Sequence, residues 1–174
     1  MKCWFTSDTH LGHANIINYC NRPFDNIYHM NDTIIKRWNE RVKEEDTVFH
    51  LGDLCFKEKL GVKAEHWIEQ LNGKIILIRG NHDNNNSAKS VINSLQITLG
   101  GKIWNLEHIP DYYSLYEYNL TGHVHTAWSV LRKKYTERGS VFVNVGVDVF
   151  GFYPVSIEEI MRRIDDYDHG RVEN

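Results

Sequence analysis

No stretch of this 174-residue sequence approaches the roughly 18 consecutive apolar residues of a membrane-spanning helix. The opening Met1-Lys2-Cys3-Trp4-Phe5 meets polar Thr6-Ser7-Asp8 at once, too short a run for the core of a secretory signal. Cysteine is scarce: Cys3, Cys20 and Cys55 are odd in number and form no CxxC pair, which fits reduced thiols and a cytoplasmic location. Positive charge is not in excess. The net charge is −3, so an electrostatic footprint for tight nucleic-acid binding is missing, although bound divalent cations would add local charge outside that count. Linkers rich in Pro, Gly or Ser, repeats and low-complexity segments are also missing, and a single domain over residues 1–174 is expected. What the chain has in unusual supply is histidine, ten residues, many of them beside Asp, Gly or Asn.

Periodicity supplies the expected elements. Residues 2–7 suit a first strand. Ile27, Met30, Ile34, Trp38 and Val42 recur at helical spacing and predict an amphipathic helix over about residues 30–43. Residues 46–51 read as a buried strand ending at Gly52, and residues 64–72 as a short helix stopped by Asn72-Gly73. The β-branched run over residues 74–78 predicts a central strand, ending at Gly80. Further strands are expected over residues 96–99, 102–106, 114–120 and 141–147. Ser156-Ile157-Glu158-Glu159 has the form of a capping box, which starts a final helix running to about Tyr167. The order predicts an α/β (α+β) fold in which two sheets pack face to face, flanked by helices.

The chemistry follows the strands. After the first comes Asp8-Thr9-His10, whose i and i+2 side chains share one side of an extended chain and can grip one ion. Gly52-Asp53 follows the second and Gly80-Asn81-His82-Asp83 the third. Glu107-His108 and Gly122-His123-Val124-His125 come later. Strand-end loops of such sheets gather on one edge, where ligands bind. Each tripeptide alone is commonplace, a turn or a hydrogen-bonded histidine. Their joint occurrence in order, each after an apolar run, is the composition of a dinuclear metal centre. Oxygen and imidazole donors without thiolate suit Mn, Fe, Zn, Co or Ni rather than Mg or Ca, with Mn favoured.

In this order the motifs D-x-H, G-D, G-N-H-D, a lone His and G-H-x-H resemble those of the calcineurin-like metallophosphoesterases, over about Met1 to Val149. The phrases His10-Leu11-Gly12-His13-Ala14-Asn15-Ile16-Ile17, Arg22-Pro23-Phe24 and Asn144-Val145-Gly146-Val147-Asp148 are similar to a compact bacterial and phage branch of that family. The resemblance implies a β-sandwich flanked by helices with the site at one edge. It also implies two divalent metals: Asp8, His10 and His125 holding one, Asn81, His108 and His123 the other, and Asp53 bridging. A hydroxide shared by the metals would attack phosphorus in line, with His82 as general acid and Asp83 orienting its imidazole. His13 and Arg22, in the loop after the first strand, would contact substrate phosphate. The chain departs from the pattern in leaving little room for a helical cap over the site, and in placing Glu107 rather than Gly or Ser before His108.

Other residues carry weaker signals. Without the family phrase, Arg22 reads as a surface residue paired with Asp25. His50 reads as a buried structural histidine, His29, His66 and His169 as surface, and Cys55 as a small core hydrophobe. Tyr112, Tyr113, Tyr116 and Tyr118 suit packing more than base stacking, and Arg132-Lys133-Lys134 a solvated face. The expected activity is hydrolysis of a small or nucleotide-like phosphodiester at an open site. Phosphomonoesterase and nuclease activity on the same residues are the alternatives. A non-catalytic metal-binding scaffold is disfavoured because every ligand candidate and His82 are present.

Overall fold

A computed structural model describes residues 1–56, 62–83, 88–134 and 139–172. Along the chain run β1 (Cys3–Thr6), α1 (Asn15–Tyr19), α2 (Ile27–Arg41), β2 (Thr47–His50), α3 (Ala64–Ile68) and β3 (Lys74–Leu77). Then follow β4 (Ser94–Leu99), β5 (Lys102–Glu107), β6 (Tyr118–Thr121), β7 (Val130–Lys133), β8 (Ser140–Asn144), β9 (Val155–Ser156) and α4 (Ile157–Asp168).

Alternation along the first strands sets the layers. β1 and β2 pair in parallel, with Trp4 opposite Val48 and Phe5 opposite Phe49. Trp4 and Val48 join an apolar cluster with Met30, Ile34 and Trp38 of α2 and Trp67 of α3. Phe5 and Phe49, stacked with ring centroids 5.4 Å apart, face the other way and meet Trp104, Leu106, Leu120 and Val143 of the second sheet, with Ile160 and Ile164 of α4. One sheet therefore separates two cores. α2 starts at Ile27, earlier than the periodicity indicates, because Asn26 caps it by accepting from the backbone N–H of Tyr28 and His29. α4 begins at the expected capping box, with both reciprocal bonds between Ser156 and Glu159 present.

The first sheet has the order β3-β2-β1-β9, so the third strand lies at an edge and is not central as its sequence suggests. Its continuous apolar run has a different cause. Ile75 and Leu77 pack on the helical cluster while Ile76 and the buried Ile78 pack between the sheets, so both faces are covered at a sheet edge. The second sheet has the order β4-β5-β6-β8-β7, with β5, β6 and β8 mutually parallel. The strand expected over residues 114–120 is confined to Tyr118–Thr121, because the preceding segment turns: Tyr113 N–H donates to Asp111 Oδ1 and Asn119 Nδ2 to Tyr116 O. The strand expected to reach residue 147 stops at Asn144, whose amide donates to His125 O and Trp128 O and accepts from Gly146 N–H. β7, β9 and α1 are too short to announce themselves by period.

Two parallel sets of strands thus end on one side. β1, β2 and β3 finish there in the first sheet, and β5, β6 and β8 in the second. A Ser7 to Gly146 bridge and a Val147 N–H to Ser7 O bond of 3.0 Å fasten the sheets together where the loops emerge.

Candidate metal centre

The polar loops after these strands converge. Asp8, His10 and His125 place ligand atoms within 4.8 Å of one another, and so do Asp8, Asp53 and His108. Asp53 Oδ2 lies 3.3 Å from His108 Nε2 and 3.6 Å from His10 Nε2, while Asn81 Oδ1 lies 2.8 Å from His108 Nε2 and 2.9 Å from His123 Nδ1. The structure therefore brings every residue expected to hold a metal into one continuous cluster, Asp8 belonging to both trios and Asp53 lying between His10 and His108.

The backbone is bent to achieve this. Asp8, His10, Asp53, His123 and His125 all have φ between 46° and 70°, among very few non-glycine residues in the left-handed region. Such conformations cost about 1–3 kcal/mol each and persist where the surroundings enforce them, typically at functional sites. Two glycines make room. A Cβ on Gly122 would lie 1.9 Å from Ser7 Oγ and 2.6 Å from Asp8 Oδ2, and one on Gly80 would lie 2.1 Å from Asp53 Oδ1. Asp8 itself is held by Ser7 Oγ–H at 2.6 Å and by the His123 N–H at 3.0 Å.

Hydrogen bonding tests whether a cation fits. His108 Nδ1 lies 2.7 Å from the Leu51 carbonyl, which can only accept, so Nδ1 carries a proton. In the neutral ring Nε2 is then a lone pair aimed at two further acceptors, Asn81 Oδ1 and Asp53 Oδ2. Lone pairs facing oxygens at such distances repel unless a proton or a cation sits among them. His10 shows the same demand: its Nδ1 shares a 3.2 Å bond with His13 Nδ1, while its buried Nε2 has no hydrogen-bond partner among the described residues. These donors fit a divalent transition ion.

The titrating groups report the same crowding. Burial pushes the Asp8 carboxyl up, opposed by the charges of His108 and His125. Burial also works against Asp53, but the hydrogen bond and charge of His108, with His10, outweigh it and hold that carboxyl below the usual range. Burial disfavours charge on His108, yet Asp53 and Asp8 raise it above an ordinary histidine. Desolvation leaves His10 well below the normal value.

The flanking residues fall out unevenly. His82 stands exposed at the rim, its N–H donating to Asp53 Oδ1 at 2.9 Å and its ring centroid 5.8 Å from that of His10. Asp83 does not turn to His82. Its Oδ2 accepts from the backbone N–H of Gly80 at 2.7 Å and of Asp53 at 2.9 Å, so it caps the loop that carries Asn81. His13 is buried and stacked on Phe56 at 4.5 Å, behind His10. Arg22 is neither a surface residue paired with Asp25, which instead meets His29, nor placed to reach a phosphate. It is buried, with Nε and one terminal nitrogen on the two oxygens of Asp148 and further bonds to the carbonyls of Asp8 and Thr9 and to Met30 Sδ. Asp148, which also accepts from His125 Nδ1 at 2.8 Å, received no role from the sequence, although its pentapeptide drew notice. His50 is fully buried against Thr9, and Cys55 is a core residue whose thiol burial pushes up to about 11. Tyr113 is exposed, contrary to a packing role.

Two mixed sheets flanked by helices, with carboxylate, amide and imidazole donors pooled at one edge, define the class: a two-layer fold with a candidate metal-binding edge. The chain belongs to the calcineurin-like phosphoesterase family, whose model matches residues 1–169. It is 39% identical over 168 residues to an uncharacterised protein of Methanocaldococcus jannaschii, covering 94% of this chain and 92% of that one. The gene 66 protein of Mycobacterium phage L5 is 38% identical over 81 residues, which span 46% of this chain and 39% of the phage protein. Among solved structures, a protein of unknown function from Aquifex aeolicus is similar at a TM-score of 0.68 and 25% identity, covering 92% of this chain and 97% of that one. Among the described residues no helix is long and apolar enough to cross a membrane.

Proposed function

We propose that the protein hydrolyses phosphodiesters at a pair of divalent transition-metal ions, with manganese the favoured metal. Asp8, His10 and His125 hold one ion, Asn81, His108 and His123 the other, and Asp53 serves both. The observation that carries this reading is His108, whose Nδ1 is committed to Leu51 O and whose Nε2 faces Asn81 Oδ1 and Asp53 Oδ2, a set of donors in which a cation can take the place of a proton. When bound, such a pair supplies Lewis-acid charge to the phosphoryl oxygens and acidifies water.

The chain's own groups do the rest. Leu51 O fixes the His108 ring through Nδ1, and His13 engages His10 Nδ1, so each ring presents Nε2 inward. His82, exposed and tethered through its backbone to Asp53, exchanges protons with solvent and delivers one to the leaving alkoxide. Asp83 holds the Asn81-His82 loop to the Asp53 loop rather than polarising the imidazole. The Arg22 guanidinium is turned wholly inward and supplies no charge to the phosphate, which suits the single negative charge of a diester better than a monoester dianion.

The test is to strip the protein with chelator, restore Mn²⁺, and compare an aromatic phosphodiester with the matching monoester. Metal-restored activity favouring the diester is expected. Preference for the monoester would keep the site and overturn the substrate class. Absence of bound metal would overturn the reading altogether.

A further inference from the structure

Arg22 and Asp148 form a buried ion pair whose side chains are 0% and 2% exposed. Burying two charges carries a desolvation cost that their attraction need not repay, so such a pair is weak support for stability and invites another explanation. Its connections supply one. Arg22 Nε donates to Asp148 Oδ1 at 2.8 Å and a terminal nitrogen to Oδ2 at 3.0 Å. The same guanidinium grips the loop after β1, donating to Asp8 O at 2.7 Å and Thr9 O at 3.1 Å. Asp148 Oδ2 reaches the loop after β6 through His125 Nδ1 at 2.8 Å. Asp8 and His125 lie in one candidate trio of ligands, yet they come from different sheets and are far apart in sequence.

We propose that Asp148, locked by Arg22, is a positioning residue that holds His125 with its proton on Nδ1 and its Nε2 turned to the metal shared with Asp8 and His10. This rests on the two-metal reading above. With both Asp148 oxygens engaged by the guanidinium, the carboxylate cannot rotate. The imidazole that donates to it is therefore fixed in tautomer and in plane. Cys20, His125 and Asp148 also place ligand atoms within 4.8 Å of one another. Both Asp148 oxygens already accept from Arg22, and Oδ2 also from His125, so this trio serves as the clamp rather than as a third ion site. Because Arg22 bonds the backbone of Asp8 and Thr9, the clamp sets the distance between the two loops as well as the orientation of the ring.

The test is calorimetric titration of Mn²⁺ into the chelator-stripped protein. Wild type is expected to bind in two steps. Asp148→Asn keeps the shape but loses the charge, and should weaken one step by about 10–100-fold while leaving the other unchanged. Arg22→Met/Asp148→Leu, which strands no buried charge, should show the same selective loss, and Asp148→Glu should recover part of it. In Zn²⁺-loaded wild type, long-range nitrogen–proton correlation should find His125 protonated on Nδ1 and coordinated through Nε2. Two wild-type-strength steps in both Asp148→Asn and the double variant would overturn the clamp. So would equal weakening of both steps, which reports a general structural role. Wild type without bound Mn²⁺ would overturn the two-metal reading beneath it.

Discussion

Acid should destabilise this fold through His50 more than through an ordinary histidine. His50 ends β2, fully buried, with Nε2 3.0 Å from Thr9 Oγ1. That hydroxyl already donates to Leu54 O at 2.6 Å, so it can only accept from the ring, and the His50 proton resides on Nε2. Nδ1 is buried and has no partner among the described residues. A second proton there would create an imidazolium with nothing to receive it, and burial lowers the group from 6.5 to about 3. The folded value is depressed, so between these limits the unfolded chain holds a proton that the folded one does not. The stability is fully present above pH 6.5 and is lost as pH falls toward 3. At pH 4.5 the loss from this residue alone is about 3 kcal/mol, from two pH units at roughly 1.4 kcal/mol each. Urea unfolding in the presence of chelator, at pH 7 and pH 4.5, for wild type and His50→Gln, isolates it, because titrations common to both proteins cancel. Wild type should lose about 3 kcal/mol more than the variant on acidification. Equal losses would refute the reasoning. Since Thr9 lies between Asp8 and His10, the same protonation should loosen the loop after β1.

Three further outcomes are expected. Gly122→Ala drives a methyl into Ser7 Oγ and Asp8 Oδ2, and should cost about 1–3 kcal/mol in denaturant unfolding and weaken Mn²⁺ binding in calorimetry. His82→Ala should retain both metals yet lower kcat by about 10²–10⁴-fold on diesters with poor alkoxide leaving groups, with a much smaller loss for a nitrophenolate that needs no proton. A uniform loss across leaving groups would remove His82 from the acid role. Ser156→Ala deletes the side-chain half of the α4 capping box and should cost about 0.5–2 kcal/mol, read as a lower melting temperature with unchanged metal binding.

Much of the site was legible because its chemistry is local. A strand that ends in Asp8-Thr9-His10 or Gly122-His123-Val124-His125 carries its donors and the glycine that admits them within a few residues, and strand-end loops of parallel sheets share an edge by topology. The two-layer fold was legible for the same reason, since alternation in Trp4-Phe5 and Val48-Phe49 sends side chains to opposite faces whatever lies beyond. Tertiary structure alone decided the rest. Whether β3 is central or at an edge depends on which strands lie beside it, and its apolar run reports only that both faces are covered. Arg22 and Asp148 stand 126 positions apart, and nothing local distinguishes a guanidinium aimed at phosphate from one aimed at a buried carboxylate. Asp83 likewise caps the backbone of Gly80 and Asp53 instead of His82, a choice made by where the Asp53 loop arrives. Sequence pointed to the polar residues that gather at this edge; their partners were set by contacts between segments that only folding brings together.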